Sequence, residues 1–399
     1  MRILVLPKEF PSPVQPQAGI FVLRRVQALR DLGHEIRVLR IVPAAPPITE
    51  KWRTYAAIPR DEIVDGIAVR SVRAVFAPRM IGMEYLPLQV HAAVAREVAQ
   101  FRPDVLHASF LIPSGQIAVR QRVPAVVTAH GGDAYDWPKR RPGLRAAARE
   151  AIQKAVRVTA VSSYISRCVR EIADREVDVI WNGGDERFFF PRDRAQARAE
   201  LAIAPDRFVV AFAGNLRRAK GIFDLVEASG ALGDPRLLLL VAGAGPDEAD
   251  LRQAADRARI EMRVLGRLDQ THIARMYAAA DVVTLPSYNE GMPNVVCEAM
   301  LCERTVIAST AGGIPEIIEN GSTGLLVPAG APRELRAALE RSATNESLRN
   351  TLAERARAFA AAHLTWRVSA RQYDRVLREA AFGPSPAQPS TPIHTRDAL

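Results

Sequence analysis

The sequence predicts an α/β protein of two consecutive domains, each built on a mostly parallel sheet and facing the other across a cleft. Three observations carry this. The chain has 399 residues, more than one hydrophobic core usually serves. Apolar runs of strand length alternate with helical stretches in both halves, the pattern of βαβ units. Those runs end repeatedly in glycines, at the strand edge where parallel sheets bind ligands: Gly131-Gly132, Gly214 and Gly312-Gly313.

Residues 3–6 form the first apolar strand. A loop holding Pro7, Pro11, Pro13 and Pro16 leads through Ala18-Gly19 into a helix over 20–32, which Gly33 ends before a strand over 35–42. Gly19 puts a backbone without a side chain at the sheet edge; it serves either helix entry or the approach of a ligand. The stretch 62–74 alternates around Asp65-Gly66, a hairpin signal. A helix over 86–101, a strand over 105–108, a helix near 115–120 and a strand over 125–129 follow. That strand runs into His130-Gly131-Gly132-Asp133. A lone histidine is more often structural, but at the ligand edge beside two glycines His130 becomes a candidate sugar contact. Strands over 157–161 and 177–180 close the first half, and 188–191 begins a polar linker. The domain boundary falls near 190, giving domains over 1–185 and 186–365.

The second half repeats the pattern. A buried strand over 208–213 feeds the loop from Gly214 to Gly221, then a helix over 222–232. Asn215, Arg217, Arg218 and Lys220 lie in that loop, and three cations at a helix start suit a diphosphate. The residue order is not that of a Walker loop. The strand over 237–241 runs into Gly243-Ala244-Gly245-Pro246, which mimics a dinucleotide fingerprint. Glu248 in place of the third glycine, and the stiff Pro246, argue against such a cofactor. The next strand ends at Gly266-Arg267, whose backbone is a candidate to line a nucleobase pocket beside Leu268.

The densest segment is 281–300: a strand to 285, a loop over 286–292, then a helix opening at Pro293, a favoured first position. The loop carries Glu290 to a helix N-terminus with free amides at Asn294, Val295 and Val296, and Glu298 sits one turn inside. Amides and the positive dipole end suit phosphate, while a carboxylate accepts hydrogen bonds from sugar or ribose hydroxyls. The plainer alternative is a solvated loop acid and a helix-surface charge. A strand over 305–308, the loop Ala311-Gly312-Gly313-Ile314-Pro315-Glu316, a strand over 324–327 and helices over 332–341, 346–363 and 366–381 complete the domain. The tail from Gly383 is rich in Pro, Ser and Thr and is expected to be disordered.

Composition narrows the function. Hydrophobic residues at 48% and charged residues at 25% describe a soluble globular protein. The net charge of +10 invites an anionic partner, yet basic-plus-aromatic runs are missing, which speaks against nucleic acid. Cys168, Cys297 and Cys302 read as reduced packing residues. Neither a signal peptide nor an apolar run near the ~20 residues of a membrane span is evident, so a cytoplasmic protein is expected. The cations of 139–157, set against the single acid Glu150, suggest a surface for anionic lipid at the inner face of the plasma membrane.

With these residues in place, the chain resembles the family 4 glycosyltransferases of the GT-B fold, which are retaining and metal-independent. The resemblance runs from the GIFV and LGHEIRVL segments to GGIPEIIENGSTGLLVP, and centres on Glu290-x7-Glu298 within PSYNEGMPNVVCEAM. It implies two Rossmann-like domains, with the last helix, 366–382, crossing back to the first. It implies transfer of a sugar from a nucleoside-diphosphate sugar to a saccharide or lipid-linked saccharide, with no further cofactor and no metal, as in cell-surface polysaccharide synthesis. By the same resemblance, Glu290 and His130 would meet the donor sugar and Glu298 the ribose. Lys220 with an arginine would neutralise the diphosphate, and the backbone from Gly291 and Met292 to Val296 would cradle it. Gly19 would pass close to phosphate and acceptor, with Gly131 and Asp133 on the acceptor side. Asn215 stands where the family usually has arginine, with Arg217 or Arg218 to compensate, and Ala18-Gly19 stands where many members have two glycines. Two rival functions share this architecture: a nucleotide-sugar 2-epimerase, and a non-catalytic protein that binds sugar nucleotides.

Overall fold

The computed structural model describes residues 1–44, 49–75 and 82–384. The first sheet holds β1 (Arg2–Pro7), β2 (Glu35–Pro43), β3 (Asp61–Val64), β4 (Ile67–Ala74), β5 (Val105–Ser109), β6 (Ala125–Ala129), β7 (Arg157–Ala160) and β8 (Asp178–Val179). Their order across the sheet is β3-β4-β2-β1-β5-β6-β7-β8. Only β3, among the described strands, runs antiparallel. It joins β4 through Asp65-Gly66, both at positive φ, as a tight hairpin turn requires.

The second sheet is parallel throughout: β9 (Phe208–Ala213), β10 (Leu237–Ala242), β11 (Glu261–Gly266), β12 (Val282–Leu285), β13 (Thr305–Ser309) and β14 (Leu325–Val327), in the order β11-β10-β9-β12-β13-β14. Every residue of β9, β10 and β12 is buried, which is why these strands read as unbroken apolar runs. The strand order reverses between β1 and β5 in one sheet and between β9 and β12 in the other. A crevice opens at such switch points, and the loops predicted to carry function lie there.

The helix Trp366–Phe382 packs on the first half. Tyr373, Val376 and Leu377 share a core with Ile3, Val5 and Leu29, and Glu379 binds Arg157 at 2.6 Å. The chain therefore crosses twice between the sheets. The two crossings lie side by side, with Gly184 N–H donating to Leu364 O and Trp366 N–H to Gly184 O.

Four local expectations change. The helix near 115–120 is confined to Gln116–Ala118 and follows directly on a wider helical turn, Leu111–Gly115. The segment 188–191 is no polar linker: Phe189 is buried with its ring 6.2 Å from that of Tyr277. Pro293 is extended, so the helix begins at Asn294, and the Val296 amide is already bonded to Pro293 O. The helices Arg194–Glu200, Glu248–Ala258 and Gln270–Ala279 went unread, although Asp193 and Asp269 cap two of them through their side chains. The tail from 385 lies outside the described residues.

Candidate active site

A cavity of about 420 Å³ lies between the halves. Phe21, Phe110 and His130 face it from the first half, Lys220, Glu290, Asn294 and Val295 from the second, and Asn182 from the crossing segment.

The loop after β12 brings Glu290 to Lys220, whose Nζ donates to Glu290 Oε1 at 2.6 Å. Both side chains are mostly shielded, 30% and 13% exposed, so the ion pair is stronger than a surface one. Gly291 next to it seals the loop against the first half: a Cβ there would stand 2.1 Å from His130 O. Asn294 and Val295, the first residues of the helix Asn294–Leu301, border the same space. Their amides and the Lys220 ammonium form an anion-binding corner.

His130 packs its ring against Phe21 and Phe110, with centroids 5.0 and 4.8 Å away, and its Nε2 has no protein partner among the described residues. Burial and the nearby Arg25 guanidinium hold its pKa well below the ordinary histidine range. The imidazole is therefore neutral, and the residue borders the cavity while its Nε2 stays buried and unpaired among the described residues.

Glu298 lies one turn deeper and half-buried, next to Gly184 of the crossing segment. Burial first, then the charge of Asp185, push its pKa up to about 8, while Arg24 opposes them. Asp185 is itself held by Arg187 at 2.8 Å.

Other candidates land elsewhere. Asp133 is fully buried, and its carboxylate accepts the amides of Leu111 and Gly131 at 2.8 Å each and that of His130 at 3.1 Å. It shapes the loop that presents His130 and does not face an acceptor; Gly131 does border the cavity. Gly19, at φ 64, is pressed against the loop behind it, where a Cβ would meet Glu9 O at 2.2 Å, so helix entry accounts for it. Arg218 stacks on Phe223 at 4.1 Å and gives its N–H to Asp247, away from the cavity. Arg217 is exposed and off the wall, which leaves Asn215 and Lys220 as this loop's side chains there. Gly266 ends the edge strand β11 and Arg267 follows it, both outside the cavity lining, while Met292 is part of that lining.

Sequence reasoning missed three residues. Asn182 is 6% exposed, with its Oδ1 unpartnered at the cavity. Phe110 holds φ 86, a rare conformation for a bulky residue that turns its ring into the cleft, and Phe21 completes the aromatic wall. The only sequence cue beside any of them is the pair Gly183-Gly184 that follows Asn182, and it does not single out that side chain.

The glycosyl transferases group 1 model matches residues 193–359, and the glycosyltransferase family 4 model matches 18–188. A Bacillus subtilis protein that carries the name teichuronic acid biosynthesis glycosyltransferase TuaC is 30% identical over 343 residues, covering 83% of this chain and 86% of that one. The D-inositol 3-phosphate glycosyltransferase of Actinosynnema mirum is 30% identical over 403 residues, covering 88% and 91%. Among solved structures, the sucrose-phosphate synthase of Thermosynechococcus elongatus superposes with a TM-score of 0.80 at 24% identity over 95% of this chain and 99% of that one. Anabaena Alr3699/HepE, solved with UDP and glucose, gives 0.73 at 23% over 95% and 100%. Two sheets meeting at their switch points, an anion-binding corner and relatives of this length converge on one assignment: the chain belongs to the family 4 glycosyltransferases, enzymes of the GT-B fold.

Proposed function

We propose that this glycosyltransferase takes its sugar from a nucleoside-diphosphate donor lying across the cavity, and that Lys220, Glu290 and His130 are the residues that make transfer possible. The observation that carries the reading is the Lys220–Glu290 pair, which shares one cavity with the first residues of the helix Asn294–Leu301 and, from the other half, with His130. The diphosphate sits at the Asn294 and Val295 amides and takes Lys220 from Glu290. Glu290 then faces the sugar at its reacting carbon, His130 and Asn182 bind sugar hydroxyls, and Glu298 binds the ribose. As the bond from the anomeric carbon to the diphosphate oxygen breaks, Lys220 and the amides stabilise the charge that develops on the leaving group. The acceptor oxygen bonds to the same face of that carbon, and its proton passes to the departing phosphate, so configuration is retained.

The name of the Bacillus subtilis relative supports a saccharide acceptor in cell-surface polysaccharide synthesis, and the UDP complexes of the Anabaena neighbour make a uridine donor the first to test. Among the described residues no helix is long and apolar enough to cross a membrane. We retain 139–157 as the surface that meets anionic lipid. Several of its cations are already engaged, Lys154 with Glu150 at 2.9 Å and Arg157 with Asp178 at 2.7 Å, which makes that contact weak. Thermal unfolding against a panel of nucleoside diphosphates and their sugars tests the donor; saturation at about 100 times Kd should add about 2.7 kcal/mol. A panel without any shift would sink the reading. Rapid epimerisation of the donor with no acceptor present would replace it with the epimerase.

A further inference from the structure

We propose that Glu316 is a positioning residue that latches the two halves together and thereby fixes the loop carrying Glu290. The proposal rests on the reading of the cleft as the transfer site. Glu316 ends the turn Ile314–Glu316, which follows β13 of the second sheet. Its carboxylate reaches into the first half. There Oε2 accepts the Ser163 N–H and Oε1 the Tyr164 N–H, each at 2.8 Å, and Trp181 Nε1 lies 3.3 Å from Oε2. These amides open the helix Ser163–Ile172, whose positive end favours an anion.

Two features tie this contact to catalysis rather than to folding alone. Gly313, three residues before Glu316, donates its N–H to Glu290 O at 3.1 Å. Asn289, the residue before Glu290, donates from Nδ2 to Tyr164 Oη at 3.1 Å. The loop bearing Glu290 is thus bracketed by bonds that lead to one helix start in the other half. Water can replace the bonds that cross between the halves once the cleft opens, so the latch shifts the balance between open and closed forms without locking either.

Small-angle X-ray scattering of Glu316→Ala, read beside UDP binding, tests this. The free variant should have a larger radius of gyration than the parent. Its affinity for UDP should stay within about threefold, because Lys220 and the Asn294 amide are untouched. With the sugar nucleotide chosen by the thermal panel, kcat should fall about tenfold to a hundredfold as Glu290 loses its placement. Glu316→Gln, whose amide oxygen still accepts one N–H, should recover part of that loss. An unchanged scattering profile or an unchanged kcat overturns the proposal. If Glu316→Ala does not fold, Glu316→Gln and Asn289→Ala decide, and parent-like scattering and kcat in both overturn it. Failure of the site reading looks different: Lys220→Ala would then leave transfer intact, while the scattering change in Glu316→Ala would persist.

Discussion

On the first-sheet side the cavity meets two phenylalanines and an uncharged histidine; on the second-sheet side it meets an ammonium, a carboxylate and the amides of a helix start. Charge compensation therefore belongs to one half, and shape with hydrogen bonding to the other. A leaving diphosphate needs the first kind of wall, whereas a sugar hydroxyl is met well enough by ring faces and a single nitrogen. On the proposed reading, dividing the work this way lets the first-half wall tune the fit of a sugar without disturbing the charges that meet the diphosphate.

The largest expected effect comes from taking the charge out of the second wall. Lys220→Ala should lower kcat/KM about a hundredfold to a thousandfold, since no other side-chain cation borders the cavity among the described residues. A loss below tenfold would mean that the diphosphate lies elsewhere. Next is His130→Ala, for which steady-state kinetics should show a loss of about a hundredfold. Because burial and Arg25 hold its pKa well below the ordinary histidine range, His130 is already neutral where an ordinary histidine would titrate. The parent pH profile should accordingly lack any limb near the ordinary histidine value that disappears in the variant.

Glu298 gives a subtler test. Folded, it holds its proton up to about pH 8; unfolded, it releases it near 4.5. Its contribution to stability is therefore complete below 4.5 and is lost as pH rises towards 8, because there the unfolded chain binds fewer protons. Thermal unfolding from pH 5 to 8 should show a falling midpoint that Glu298→Gln flattens. Ribose hydroxyls donating to the carboxylate would lower that pKa, so UDP binding at pH 7 should release up to about one proton, visible by calorimetry in two buffers and absent in Glu298→Gln. The smallest effect is expected from Arg218→Ala: with its guanidinium on Phe223 outside the cavity, turnover should stay within about twofold. A larger loss would return Arg218 to the clamp.

Much of the fold was legible because parallel strands are buried on both faces and must be apolar throughout, as in Phe208–Ala213. Asp65-Gly66 likewise announced its hairpin by backbone chemistry alone. Within the candidate site, residues set by a local rule were readable: Glu290 ahead of a helix start, Lys220 ahead of another. What depends on distant pairing was not. Glu316 sat plainly on a glycine loop, but its partner amides are 153 and 152 residues away. Asp133 was expected on the acceptor side because sequence does not report burial, and Arg218 looked equivalent to Lys220 because a loop's charges carry no direction. Asn182 carries no sequence signal of its own, since its unpaired oxygen matters only once two halves enclose it.

The docking of Trp366–Phe382 onto the first half bears on how the molecule is made. Tyr373 reaches Arg25 across 348 residues, and Ala370, Val376 and Leu377 fill apolar space beside Val22 and Val26. On the ribosome, the half that emerges first lacks a piece of its interior until the second half has been synthesised. Until then the helix Ile20–Asp31 has an uncovered apolar flank, so the first half cannot complete its core before the last helix is made.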